Sequence, residues 1–190
     1  LDLENLNPTS SEIINAWKTT ILLAPLQFLG ENIVYKKIQQ ATGGNVKQLI
    51  CGGGSLAKHL EDFFEIAGIE ILVGYGLTET SPVLSARRYY RNLRGSSGKP
   101  IPGTEIKIVD LETRKSLPQN AKGLVMARGE QLMQGYYLNP EATKKAIDSE
   151  GWFDTGDIGW LTTENQVVIT GRVKDTIVLT NGEIIEPQPI

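Results

Sequence analysis

Three short stretches carry side chains whose types and spacing could do chemistry on a phosphorylated aromatic ligand. In "GYGLTETSP", Gly74 to Pro82, two glycines flank a tyrosine, and three hydroxyl residues and a carboxylate follow. Gly74 and Gly76 keep side chains away from a flat ligand, and Tyr75 can stack an aromatic ring on one face. Thr78 offers a hydroxyl near a phosphate, and Glu79 is a hard oxygen ligand suited to Mg²⁺ beside that phosphate. Read alone, this stretch is a glycine-rich turn with a packed tyrosine. It is not alone. "GWFDTGD" sets Asp157 after a Thr-Gly turn, where a carboxylate could accept both hydroxyls of a ribose. "GRVKD" follows, and its Arg172 can reach a phosphate or a sugar. Together the three clusters supply base, phosphate and ribose contacts, which favours a nucleotide site over three unrelated turns.

These groups need elements to hold them. Residues 46–73 read as strand, helix, strand: "VKQLIC", a helix with the apolar face Leu56, Leu60, Phe63, Phe64 and Ala67, then "IEILV". Ser55 is placed to cap that helix and Gly68 to end it. Such a unit builds a parallel sheet by a right-handed crossover, and ligands gather at the carboxyl ends of its strands. Both "GGGS" and "GYGLTE" stand at such ends. Residues 83–170 change to short β runs, "TEIKIVD", "GLVMARG" and "VVIT", between Gly, Pro and Asn turns. They read as a small antiparallel barrel or sheet, with one helix from Pro140 to Ala146 capped by Asn139. The fold class is therefore α/β: a parallel βαβ portion followed by a small antiparallel, barrel-like portion. Residues 10–43 read as two helices broken at Pro25. Ser10 or Ser11 caps the first, whose stripe is Ile13, Ile14, Trp17 and Ile21. The second stripe is Leu26, Leu29, Ile33 and Ile38, ended by Gly43-Gly44, and both stripes are expected to pack in a core.

Composition excludes several classes. The 190 residues hold 19 basic and 22 acidic side chains, a net charge of −3, with no basic block, so no nucleic-acid partner is expected. One cysteine, Cys51, excludes an internal disulfide framework and fits a reducing compartment. No apolar run approaches the roughly 20 residues of a membrane span. No signal peptide is legible, so a cytoplasmic location is expected, with peripheral membrane contact as a variant. His59 reads as a solvated or boundary residue, and Asp110, Glu112 and Arg114 as a turn with solvated charges. Cys51, Trp152 and Trp160 read as buried packing. The chain opens on Leu1 and closes on "EPQPI", so both ends read as cut from a longer protein.

"YGLTETSP", "GWFDTGD" and "GRVKDTIVLTNGE" together resemble the adenylate-forming acyl-activating enzymes, a superfamily of acyl-coenzyme A synthetases, luciferases and peptide-synthetase adenylation domains. Order, spacing and content all agree from about Lys47 onward. "TETSPVLSARR", "ATGGNVKQLICGGGSLAKHLEDFF" and "NGEIIEPQPI" look closest to bacterial and cyanobacterial long-chain fatty acyl synthetases, some of which charge acyl carrier protein instead of coenzyme A.

The resemblance implies a role for each matching residue. Gly53, Gly54 and Ser55 would line the adenine pocket with Gly76, and Tyr75 would stack adenine. Thr78 would touch the α-phosphate, and Glu79 would hold Mg²⁺. Asp157 would bind the ribose hydroxyls, Arg172 would approach ribose and phosphate, and Lys174 would be the hinge of a C-terminal lid. Thr78, Glu79 and Lys174 would thus serve catalysis. Residues 1–82 would belong to a large N-terminal domain with the acyl and adenine pockets, 83–170 to a β-rich subdomain, and 171–190 to the hinge and the start of the lid. The implied activity is ATP-dependent activation of a long-chain fatty acid, through an acyl-adenylate, to a thioester of coenzyme A or acyl carrier protein. The family's Ser/Thr/Gly-rich phosphate loop with its lysine and its lid lysine are not in these 190 residues, and this stretch by itself is expected to be inactive. Adenylation of an aryl or amino acid, or a non-catalytic nucleotide-binding role, are the alternatives.

Overall fold

The structure is a computed structural model that describes residues 9–175 and the backbone of two short strands, Ile177–Val178 and Ile184–Ile185. The described chain divides into two compact units. One holds the residues through Val73 together with Arg88–Gly95, and the other holds Gly74–Arg87 and the residues from Ser96 onward.

In the first unit, helix α1 spans Ser10–Gly30 and continues through a π-helical turn, Glu31–Tyr35, into α2, Lys36–Ala41. Pro25 lies inside α1 and does not break it, contrary to the sequence reading; the irregularity falls at the π turn. A π turn widens the helix by one residue per bond, which lets it change phase without ending. The expected core stripes are also corrected. Trp17, Ile21 and Leu26 are 66%, 70% and 67% exposed, and every described side chain of α1 through Leu29 is exposed. Leu22, Leu23 and Phe28 stand among them, so the apolar residues run all round the helix. That is the composition of a helix buried on every side, and these residues alone do not bury it. Gly43 and Gly44 end α2 at φ +96° and +79°, and the Gly44 N–H donates to the Gln39 carbonyl at 2.7 Å.

The βαβ unit forms as expected. Strand β1, Gln48–Cys51, pairs in parallel with the start of β2, Glu70–Gly76, across helix α3, Lys58–Ile66. The helix begins later than Ser55: Ala57 occupies the cap position with no side-chain cap bond. Of its expected apolar face only Ala67 is buried, Leu60 and Phe63 are exposed, and Glu61 is the buried helix residue. His59 is exposed and Cys51 half-buried, not fully buried. The Arg88–Gly95 segment clasps this unit. Asn92 donates to the Ile71 carbonyl, and Arg94 pairs with Asp62 and Glu65 of α3.

In the second unit, the last residues of β2 pair antiparallel with β3, Val83–Ala86, which pairs with β4, Lys99–Pro100. A separate antiparallel sheet follows in the order β5, β6, β7, β8, that is Thr104–Val109, Gly123–Gly129, Phe153–Leu161 and Val167–Arg172. It is an open sheet, not a barrel, because four strands curve too little to enclose a filled interior. The edge of β8 is met by Ser97–Gly98: Ser97 N–H donates to the Val167 carbonyl at 2.7 Å, and Val167 N–H donates to the Gly98 carbonyl at 2.9 Å. Val109, Leu124, Met126 and Trp152 form the core cluster. Trp152 also carries Lys107 and Arg128 over its ring, at 4.0 Å and 4.6 Å from the centroid. Trp160 is only half-buried. Helix α4, Pro140–Ala146, is capped by Asn139, whose Oδ1 accepts the Ala142 N–H at 3.1 Å. Arg114 is not simply a solvated turn charge, since it pairs with Asp154 at 2.7 Å. Beyond β8, Val173–Asp175 form a 3₁₀ turn, then β9, Ile177–Val178, pairs antiparallel with β10, Ile184–Ile185.

Candidate nucleotide site

The second unit brings Tyr75, Asp157 and Arg172 into one cluster, although 82 residues separate the first two in sequence. Asp157 lies on β7, not after a turn. Gly156 at φ +69° and a register shift at Ile158–Gly159 break the simple alternation there, so Asp157 and Ile158 are both buried. Asp157 is 4% exposed. Its Oδ2 accepts the Tyr75 hydroxyl at 2.7 Å, and its Oδ1 accepts Arg172 Nε at 2.8 Å. Arg172 is the residue opposite Asp157 across the β7–β8 ladder, so strand register alone sets that ion pair. The Asp157 N–H donates to Thr155 Oγ1, whose hydroxyl donates to the Val125 carbonyl of β6.

Electrostatics fix the direction of these bonds. Burial, reinforced by the Asp157 charge, pushes the Tyr75 phenol far above its usual range, so it stays a proton donor. The Arg172 guanidinium is raised by its hydrogen bond to and attraction from Asp157.

Tyr75 is presented by the end of β2, where the β2–β3 register shifts between Tyr75 and Gly76. Gly76 is required by space: a Cβ there would fall onto the Pro82 carbonyl oxygen. Thr78–Thr80 form a 3₁₀ turn. Thr80 is fully buried; its Oγ1 accepts the Leu77 N–H at 2.9 Å and donates to the Pro82 carbonyl at 2.6 Å. That closed turn leaves Thr78 exposed and Glu79 half-buried. Glu79 Oε1 accepts the Tyr136 hydroxyl at 2.9 Å, and its carbonyl accepts the Met133 N–H at 2.8 Å. Burial and the Glu79 carboxylate raise the Tyr136 phenol above its usual value.

Sequence reading missed Tyr136, Thr80 and Thr155. The signal for Tyr136 was a tyrosine pair just before the Asn139-Pro140 helix start. Gly53, at φ +83°, Gly54 and Ser55 are exposed in the loop after β1 and belong to the first unit. Lys174 is exposed in the 3₁₀ turn Val173–Asp175. No group of three or more His, Cys, Asp or Glu side chains among the described residues could hold a metal by itself. No described helix is long and apolar enough to cross a membrane.

A protein-family profile described as AMP-binding enzyme matches residues 4–137. The chain belongs to that family. Within it, the chain is 50% identical over 178 residues to "Probable acyl-activating enzyme 16, chloroplastic" of Arabidopsis thaliana, covering 88% of this chain and 24% of that protein. It is 48% identical over 179 residues to a chloroplastic long-chain-fatty-acid–[acyl-carrier-protein] ligase of the same plant, covering 89% and 24%. A 4-coumarate–CoA ligase of Oryza sativa matches at 39% over 140 residues, or 70% of this chain and 25% of the relative. Among solved structures, ATP-bound MatB from Rhodopseudomonas palustris superposes with a TM-score of 0.72 at 30% identity, covering 81% of this chain and 32% of MatB. The chain thus spans about a quarter of the length of the curated relatives it matches.

If Tyr75 stacks the base, Tyr75→Ala in the full-length enzyme weakens ATP binding by about 1–3 kcal/mol, the usual worth of base-aromatic stacking. Calorimetric titration checks this, and equal ATP affinity would remove Tyr75 from the site.

Proposed function

We propose that the full-length protein activates a long-chain fatty acid with ATP and passes the acyl group to the thiol of coenzyme A or of an acyl carrier protein. In the first step the fatty carboxylate attacks the α-phosphorus, and the bond to pyrophosphate breaks to leave an acyl-adenylate. In the second a thiol attacks the acyl carbonyl, and AMP departs. The observation that carries this reading is the buried Asp157 carboxylate held between the Tyr75 hydroxyl and Arg172 Nε. No side chain is asked to be a nucleophile, because both nucleophiles arrive as substrates.

The residues bind, orient and neutralise. Asp157 accepts the ribose hydroxyls, and Arg172 adds a donor near ribose and phosphate. Tyr75 carries the adenine, with Gly76 making room for it. Thr78 donates its exposed hydroxyl to the α-phosphate. Glu79 suits Mg²⁺, a cation that keeps several waters and takes one or two carboxylates plus substrate phosphates. A single half-buried carboxylate steadied by Tyr136 meets that requirement. Mg²⁺, when bound, neutralises charge on the phosphates. The apolar girdle of α1 is covered by other parts of the longer protein and walls its acyl tunnel, which accounts for its exposure in these residues. The same reading assigns residues 1–82 to the large domain, 83–170 to a β-rich subdomain and 171–190 to hinge and lid.

The choice of fatty acid rests on the relative at 48% identity, which is named as a long-chain-fatty-acid–[acyl-carrier-protein] ligase. The coumarate ligase match supports an aryl acid as the second reading. Pyrophosphate exchange by the full-length protein across a panel of fatty, aryl and amino acids decides between them. Exchange with none of them would remove the proposal.

Lys174 in its exposed turn is free of any strand ladder, as a hinge must be. Lys174→Pro locks φ. Adenylate formation should remain measurable while thioester formation slows, and single-turnover assays of each half-reaction read the split. Equal loss of both would make Lys174 structural.

A further inference from the structure

We infer that the Tyr75 hydroxyl is a positioning group for Asp157 and sets the preference for a sugar that carries the 2′,3′-diol over one without it, a role separate from stacking by its ring. The inference rests on the proposed nucleotide site. An ionised carboxylate offers about four lone-pair sites. Tyr75 occupies one on Oδ2 and Arg172 one on Oδ1, each at short range. About two acceptor sites remain, the number a vicinal diol needs. With only Arg172 as an anchor, a carboxylate on its single Cα–Cβ–Cγ hinge can rotate about its C–C bond. The second anchor, on the other oxygen, stops that rotation. Anchors on both oxygens turn the remaining lone pairs to one fixed direction, so both ribose hydroxyls are met at no further ordering cost.

The bond also ties two separate pieces of chain. Tyr75 stands on β2, whose strand continues the β2–β3–β4 pairing, whereas Asp157 stands on β7 of the other sheet. Ring and carboxylate are therefore placed as one rigid pair, and base recognition and sugar recognition are locked in register. A phenylalanine would keep the ring and lose the lock.

The test uses the full-length enzyme, Tyr75→Phe, and two probes, AMP and 2′,3′-dideoxy-AMP. The dideoxy nucleotide reports base and phosphate binding without a diol. The wild type should bind AMP more tightly than the dideoxy probe. In Tyr75→Phe the affinity for the dideoxy probe should hold within about threefold, while the AMP preference falls about tenfold, as for loss of one bond to a charged group. A wild type without preference would overturn the ribose role of Asp157 and the site reading with it. A preference equal in wild type and variant, or stronger in the variant, would overturn the positioning role alone. Equal weakening of both probes would assign Tyr75 to packing or stacking only and would likewise overturn it.

Discussion

Asp157→Ala in the full-length enzyme should lower AMP affinity by about 10²-fold or more and slow adenylate formation, with the fold retained. Hydrogen bonds to a charged group contribute about 1.5–3 kcal/mol each, and the ribose diol makes two. Their loss alone accounts for at least about 3 kcal/mol, which is about 10²-fold in affinity. A second cost falls on the protein itself. The Tyr75 hydroxyl, in a setting where it must donate, loses its acceptor at Oδ2. Arg172 loses its bond to Asp157 too, although its side chain is 48% exposed and water can replace that bond. Tyr75 is half-buried and its hydroxyl also lies within hydrogen-bonding reach of Thr155, so neither donor is stranded, which is why the fold should survive. Calorimetry with AMP and a circular-dichroism melt measure both halves. Unchanged AMP affinity in a folded variant would show that the ribose binds elsewhere.

The sequence announced the parts of this site that local rules control. Short β-like runs between Gly, Pro and Asn turns placed β6 at its observed bounds and β5 to within one residue, and Asn139-Pro140 marked the start of α4, because turn residues and helix capping are local signals. The family motifs named Tyr75, Asp157 and Arg172 as members of one site. What the motifs did not show was how these residues hold each other. The Asp157–Arg172 pair depends on the β7–β8 register after a bulge, and a one-residue slip would have turned Asp157 to the other face. Tyr136 was missed for a related reason: nothing in "QGYYLNP" shows that its hydroxyl reaches Glu79, 57 positions away. The helical region failed differently. A proline and two apolar stripes imply a broken, amphipathic pair, yet the apolar residues of α1 surround the helix and the proline is absorbed. Periodicity reports which faces are apolar, and it cannot report what covers them.

Gly98→Ala should be among the most destabilising single changes in the second unit, at about 2–5 kcal/mol. Two penalties combine. Gly98 sits at φ +77°, and a left-handed backbone costs a non-glycine residue about 1–2 kcal/mol. Its new Cβ would also overlap the Ala86 carbonyl and the Arg87 nitrogen, which are backbone atoms and cannot swing aside. Overpacking of that kind typically costs about 1–3 kcal/mol. Gly103 separates the terms, since it has nearly the same φ, +79°, with nothing within 4 Å of its Cβ position. Gly103→Ala should cost only the backbone penalty, and the difference in melting temperature between the two variants isolates the clash. Function should follow the clash and not the φ. Ser97 and Gly98 bond Val167 at the edge of β8, while Gly98 itself packs on Ala86 of β3. This is where the pairing that presents Tyr75 meets the sheet that presents Asp157. A displacement of a few tenths of an ångström there lengthens the 2.7 Å bond between them, so AMP affinity should fall in Gly98→Ala even below its melting temperature and stay near wild type in Gly103→Ala. Equal melting temperatures and equal AMP affinities in the two variants would mean that the β3 backbone yields without cost, and that the junction does not hold the site in register.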